Sequence, residues 1–91
     1  MRIWGILRKD GKIRRDIVIA TEKKLPLSED EFSSILKELC YELDLSCPLL
    51  LKKHMRDMSA FSRTAFLPGD FVESVDFDKF EIEVFMDKKG R

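Results

Sequence analysis

Residues 77–87 carry the clearest alternation in the chain. Phe80, Ile82, Val84 and Met86 fall on one side at period two, and Glu81, Glu83, Phe85 and Asp87 on the other, which predicts a strand with one buried face. Such a strand cannot satisfy its own backbone, so a sheet and a cover must come from elsewhere. Residues 2–8 and 12–21 predict a hairpin, with Asp10-Gly11 as its turn signal. A two-residue turn would set Trp4 opposite Ile17. A three-residue loop with Gly11 in a bulge position would set Leu7 opposite Ile13 and Ile3 opposite Ile17. The second register is preferred because it gathers Ile3, Leu7, Ile13, Ile17 and Ile19 on one face, with only Arg15 intruding. Arg2, Trp4, Ile6, Arg8, Arg14, Asp16 and Val18 then form the other face.

Residues 28–44 switch to a helical period. Ser28 and Glu31 spell a capping box, and Leu27 can staple onto Phe32. Phe32, Ile35, Leu36, Leu39, Cys40 and Leu43 make one apolar stripe. Leu51, Met55, Met58 and Phe61 predict a short second helix near 52–62, with 49–51 readable as a strand or as that helix's start. Leu67-Pro68-Gly69-Asp70 has the residues of a type II turn, flanked by Phe66 and Phe71. The pattern predicts one α+β domain over 1–87, with 88–91 a frayed tail. Its antiparallel sheet is the N-terminal hairpin plus the C-terminal strand, with a long amphipathic helix on one face and a short second helix.

The 91-residue length suits a single small core, and a 44% hydrophobic content argues against disorder. No apolar run approaches the ~18–20 residues of a membrane span, and the N-terminal stretch lacks a signal-peptide core. A cytoplasmic protein with no membrane association is expected. Seventeen basic residues balance seventeen acidic ones, which argues against strong general attraction to nucleic acid. Cys40 and Cys47 do not make a disulfide framework, and on one continuous helix they would stand ~10 Å apart. Both are expected to be free thiols.

Candidate chemistry is sparse. His54 could pair with Asp57 or serve a cysteine as base, but it reads first as a surface histidine on a basic helix turn. Cys40, Cys47 and His54 match no zinc spacing, and the glycines are isolated, so neither a metal nor a phosphate loop is expected. No cofactor and no catalytic residue are assigned. A thiol-based activity at Cys47 is the residual catalytic alternative. The candidate interaction surface is Arg2, Trp4, Ile6, Arg14 and Val18, with Arg14 opposite Ile6 and within stacking reach of Trp4. Glu81 and Glu83 are expected to face Arg2 and Arg14 on that side. Trp and Arg are enriched at interface hot spots.

Further signals are Arg2-Ile3-Trp4-Gly5, Cys40-Tyr41-Glu42-Leu43-Asp44-Leu45-Ser46 with Pro48, Thr64 and Phe66, Asp70-Phe71 with Glu73, and Phe77-Asp78 with Glu81. In these the chain resembles a group of small uncharacterised bacterial proteins of similar length. Leu49-Leu50-Leu51 departs from it, an aromatic being expected there. The resemblance implies one intact domain and carries over no site residue. The function expected is a non-catalytic protein–protein interaction or homo-oligomeric module, using the Trp4 face or an open sheet edge. A nucleic-acid-binding accessory protein using the same basic, Trp-bearing face is the second reading.

Overall fold

Asp10 and Gly11 both adopt left-handed backbone angles (φ 56° and 77°) in the computed structural model, which describes residues 1–85. Two successive positive φ values make a two-residue type I′ turn. It joins β1 (Arg2–Lys9) to β2 (Lys12–Ala20). Strands β3 (Arg63–Phe66) and β4 (Lys79–Phe85) complete an antiparallel sheet in the order β2-β1-β4-β3. Helices α1 (Glu29–Leu43) and α2 (Lys52–Phe61) lie between the hairpin and β3. The α+β class read from the alternation is the class observed. Met86 and the 88–91 tail lie outside the described residues.

The hairpin register differs from the preferred one. Arg8 pairs with Ile13, Leu7 pairs with Arg15, and Arg14 is left over as a bulge. The tight turn and the bulge together move each partner of residues 2–7 by two positions, so Ile3 faces Ile19 and Trp4 faces Val18. A shift of two preserves the side of the sheet. Ile17 and Ile19 therefore stay on the inner face with Ile3, Gly5 and Leu7. Ile13, before the bulge, leaves that face and is exposed.

Strand β4 takes the centre of the sheet beside β1, setting Val84 against Ile3, Ile82 against Gly5 and Phe80 against Leu7. Phe80, Ile82 and Val84 are buried, as the alternation requires. Its other edge is filled by β3, which the sequence pattern did not predict. Four residues, Arg-Thr-Ala-Phe, are too few to display a period, and it is the free edge of β4 that holds them extended. Residues 49–51 form neither strand nor helix.

Both halves of the α1 capping box are made: the Glu31 N–H donates to Ser28 Oγ at 3.1 Å and the Ser28 N–H to Glu31 Oε1 at 2.9 Å. All six residues of the predicted stripe are buried and share one core with the inner sheet residues. A Cβ on Gly5 would lie 3.2 Å from a Leu39 methyl and 3.3 Å from the Phe80 ring, so a glycine is what lets α1 approach β1 this closely. At its C-terminus the Asp44 and Leu45 N–H groups donate to the Tyr41 and Cys40 carbonyls at 3.2 and 2.8 Å, a Schellman closure with Asp44 at φ 58°. Aspartate pays for that left-handed angle and also sets a negative charge on the negative helix end. Asp44→Gly is expected to raise unfolding stability by about 0.5–1 kcal/mol, seen as a higher urea midpoint at unchanged slope. A lower midpoint would mean that the Asp44 side chain stabilises the turn.

The stripe predicted for α2 is rotated. Its buried residues are His54 and Met58, whereas Leu51 and Phe61 are exposed. Pro68–Asp70 form a 3₁₀ turn in place of the expected type II turn. Gly69 does not take the positive φ that a type II turn needs. The Asp70 carboxylate instead accepts the Leu67 N–H at 2.9 Å. Phe66 and Phe71, which flank it, are both buried, the latter edge-on to Phe77 at 5.3 Å.

Candidate interaction surface

The outer sheet face is built by the even positions of β1 and the odd positions of β4. Trp4 stands between Val18 on β2 and Glu83 on β4. Its indole N–H donates to Asp16 Oδ2 at 2.8 Å, which fixes the ring. The Phe85 ring packs beside it at 5.9 Å, tilted by 31°. Val18 is 51% exposed and Phe85 38% exposed. These three side chains make an apolar patch that nothing in the chain covers among the described residues. Arg2 pairs in register with Phe85 at one end.

Ile6 lies on the same face between Asp16 and Glu81 and is fully buried, so it offers no contact area. The Arg8 Nε–H donates to Glu81 Oε1 at 2.8 Å, and Lys79 Nζ is 3.2 Å from Glu81 Oε2. Burial pushes the Glu81 carboxyl upward, but the hydrogen bonds and charges of Arg8 and Lys79 outweigh it and hold the group below its ordinary 4.5. Glu81 and Glu83, expected to face Arg2 and Arg14, instead meet Arg8 and sit across from Arg63, respectively.

Arg14 is not opposite Ile6 and does not stack on Trp4. The bulge places Asp16 opposite Ile6, while Arg14 reaches Asp76 at 3.2 Å. There it joins a set of bonds that fasten the hairpin turn to the loop before β4. Lys9 Nζ donates to the Asp76 carbonyl at 2.6 Å, and the Asp10 N–H to Asp78 Oδ2 at 2.7 Å. Of the five residues singled out, the structure brings Trp4 and Val18 together, with Arg2 at the margin. Phe85 was missed. Its signal was an aromatic on the side of β4 otherwise occupied by glutamates.

The sheet edges are less open than the face. Strand β2 is an edge strand of nine residues, but Lys12, Arg14, Arg15 and the bulge guard it, devices that oppose strand addition. Strand β3 has four residues, and the Thr64 hydroxyl ties it to Asp57 of α2 at 3.1 Å.

His54 is not a surface residue. It is 0% exposed and stacks on Phe66 with ring centres 4.0 Å apart. Its Nδ1 accepts the Leu51 N–H at 3.0 Å, closing the first turn of α2 from within. Nε2 lies 3.4 Å from Asp70 Oδ2 without a hydrogen bond. Burial lowers the imidazole below its ordinary 6.5, against the opposing pull of Asp70. The imidazole is thus enclosed against Phe66. The helical stripe could have shown this, since His54 stands one turn before the buried Met58.

A groove of about 610 Å³ runs between Leu25–Leu27 and α2, lined by Met55, Arg56, Met58 and Ser59. It holds no carboxylate, cysteine or histidine. Among the described residues no group of three or more His, Cys, Asp or Glu could hold a metal, and no helix is long and apolar enough to cross a membrane. Compared with protein-family models, curated proteins and solved structures, the chain gives no match, so the reading of its surface rests on the geometry above.

Proposed function

We propose that this chain is a small non-catalytic protein–protein interaction module that docks through the Trp4, Val18 and Phe85 face, either on a second copy or on another protein. The observation that carries the reading is an exposed apolar patch centred on a Trp whose indole N–H is held by Asp16. A rigid indole costs little entropy on docking, and Trp is a frequent interface anchor. The nucleic-acid reading is disfavoured on the same surface. Arg8 and Arg14 are engaged by Glu81 and Asp76, while Asp16 and Glu83 put negative charge on both sides of the indole. We also assign the protein to the reducing cytoplasm, which suits two free cysteines.

Sedimentation velocity at low and high salt is the first test, followed by affinity capture with wild type and Trp4→Ala as paired baits. The expected result is self-association, or a captured protein, that persists at high salt and is lost in Trp4→Ala. A monomer whose captured proteins are the same with either bait overturns the reading. Binding of single-stranded oligonucleotides that weakens steeply with salt would put the nucleic-acid reading in its place.

A further inference from the structure

Helix α2 turns one stripe toward the segment that precedes α1. Met55 and Met58 recur at helical spacing, and with Leu25 and Leu27 across from them they line the groove of about 610 Å³. Leu27 and Met58 are buried in the core, and Leu25 and Met55 pack against it, so the groove has an apolar floor continuous with the interior. Arg56 stands in its lining, exposed, and its guanidinium makes no hydrogen bond or ion pair among the described residues. Ser59 is three residues on, and so a neighbour of Arg56 on the helix surface; its hydroxyl is equally unengaged among the described residues. Asp57, the acid next to Arg56 in sequence, accepts the Thr64 hydroxyl at 3.1 Å and does not line the groove. An apolar trough with an unneutralised cation beside it, and no carboxylate in its lining, is complementary to an aliphatic chain with one anionic end.

We propose that this groove binds a linear aliphatic carboxylate of the fatty-acid class. The carboxylate accepts hydrogen bonds from the Arg56 guanidinium and the Ser59 hydroxyl, and the alkyl chain lies over Met55 and Met58 against Leu25 and Leu27. The groove falls within the roughly 300–1,000 Å³ of small-molecule sites. Unbranched, polarizable methionines adapt to a chain of no fixed shape. A guanidinium grips a carboxylate through two parallel hydrogen bonds, which selects the acid over an alcohol of equal length. Leu27 and Met58 belong to the core on the inner side of the sheet, whereas Trp4 stands on the outer side, so this site is independent of the interaction surface.

Octanoate, octanol and octylamine are titrated in turn, below micelle-forming concentrations, into nitrogen-15-labelled protein. Octanoate is expected to shift the amides of Leu27, Met55 and Ser59 saturably while the Trp4 indole N–H stays in place. Octanol and octylamine should bind about fivefold more weakly or worse, the worth of one part-exposed ion pair. Arg56→Gln should weaken octanoate by about the same factor and leave octanol unchanged. Ser59→Glu, which sets a carboxylate within reach of Arg56, should abolish octanoate binding. Both substituted residues are exposed, so urea midpoints close to wild type are expected for the two variants. Octanol or octylamine binding as tightly as octanoate, shifts centred on Trp4, or no saturation with wild type each overturns the proposal, as does an Arg56→Gln variant that holds octanoate as wild type does. Self-association that survives Trp4→Ala but is lost in Ser59→Glu would give the groove to a second copy of the chain and overturn it as well.

Discussion

Phe80→Ala is expected to cost about 3–5 kcal/mol of unfolding stability, the range for deleting a fully buried aromatic ring. A 91-residue domain holds roughly 5–14 kcal/mol in all, so this substitution removes a large share of the total. Phe80 is 0% exposed and sits on central strand β4, paired with Leu7 on one side and Phe66 on the other. Its ring packs on Phe66 at 5.9 Å and fills the space beside the absent side chain of Gly5. No neighbour can relax into the cavity without disturbing β1, β3 or α1, which places the cost toward the upper end. Phe85→Ala, five residues along the same strand and partly exposed, should cost about 1 kcal/mol or less. Urea unfolding of the two variants checks the pair. Similar midpoints for both would mean that β4 does not present its even residues to the core.

The contrast follows from the alternation, the part of the fold most legible in the sequence. Period two assigned the faces of β4, and period 3.6 assigned every buried residue of α1, because a side chain's direction is local geometry. Pairing was less legible. The Asp-Gly signal located the hairpin turn, but register depended on a bulge at Arg14 that no residue type announces. Strand β3 depended on an edge 16 residues further along. The 3₁₀ turn at Pro68 depended on Asp70 reaching the Leu67 N–H, a bond that competes with the type II conformation the Pro-Gly pair suggests.

The candidate surface was legible to the same degree. Trp4 and Val18 were placed on the correct side by parity alone. Arg14 was misplaced by the bulge, and Phe85 went unread because glutamates dominate its side of the strand. His54 was misjudged for a related reason. Lys52, Lys53 and Arg56 surround it in sequence, yet they are exposed, whereas position 54, one turn before Met58, is buried.

Below pH 6.5 the domain is expected to lose stability, by up to about 1.4 kcal/mol for each pH unit, the limit for one proton. His54 is the only histidine in the chain, so a histidine titration can have no other source. Its folded-state affinity for protons is lowered, first by burial and then by Lys53, against the raising effects of Asp70 and Asp57. When the folded pKa lies below the unfolded one, acid favours the unfolded chain. Well above 6.5 neither state is protonated and the group contributes no pH dependence. As pH falls below 6.5 the unfolded state takes up the proton first, and stability declines until the folded state follows. Protonation also removes the Nδ1 lone pair that accepts the Leu51 N–H, which loosens the first turn of α2. Asp70 acts lower on the scale. Burial pushes it up, but the Leu67 N–H, Lys53 and His54 prevail and hold it below 3.8, so its contribution is complete above that value and is lost as the carboxylate is protonated. Urea midpoints measured from pH 7.5 to 5 should fall for wild type. His54→Leu, which leaves the Leu51 N–H without its acceptor, should be less stable at pH 7.5 by about 1–3 kcal/mol but flat across the same interval. The imidazole Cε1–H resonance should titrate below 6.5 in the folded protein and near 6.5 in urea. A wild-type midpoint that does not move between pH 7.5 and 5, or a folded imidazole titrating at 6.5, would place His54 in solvent and remove the stack on Phe66 from the core.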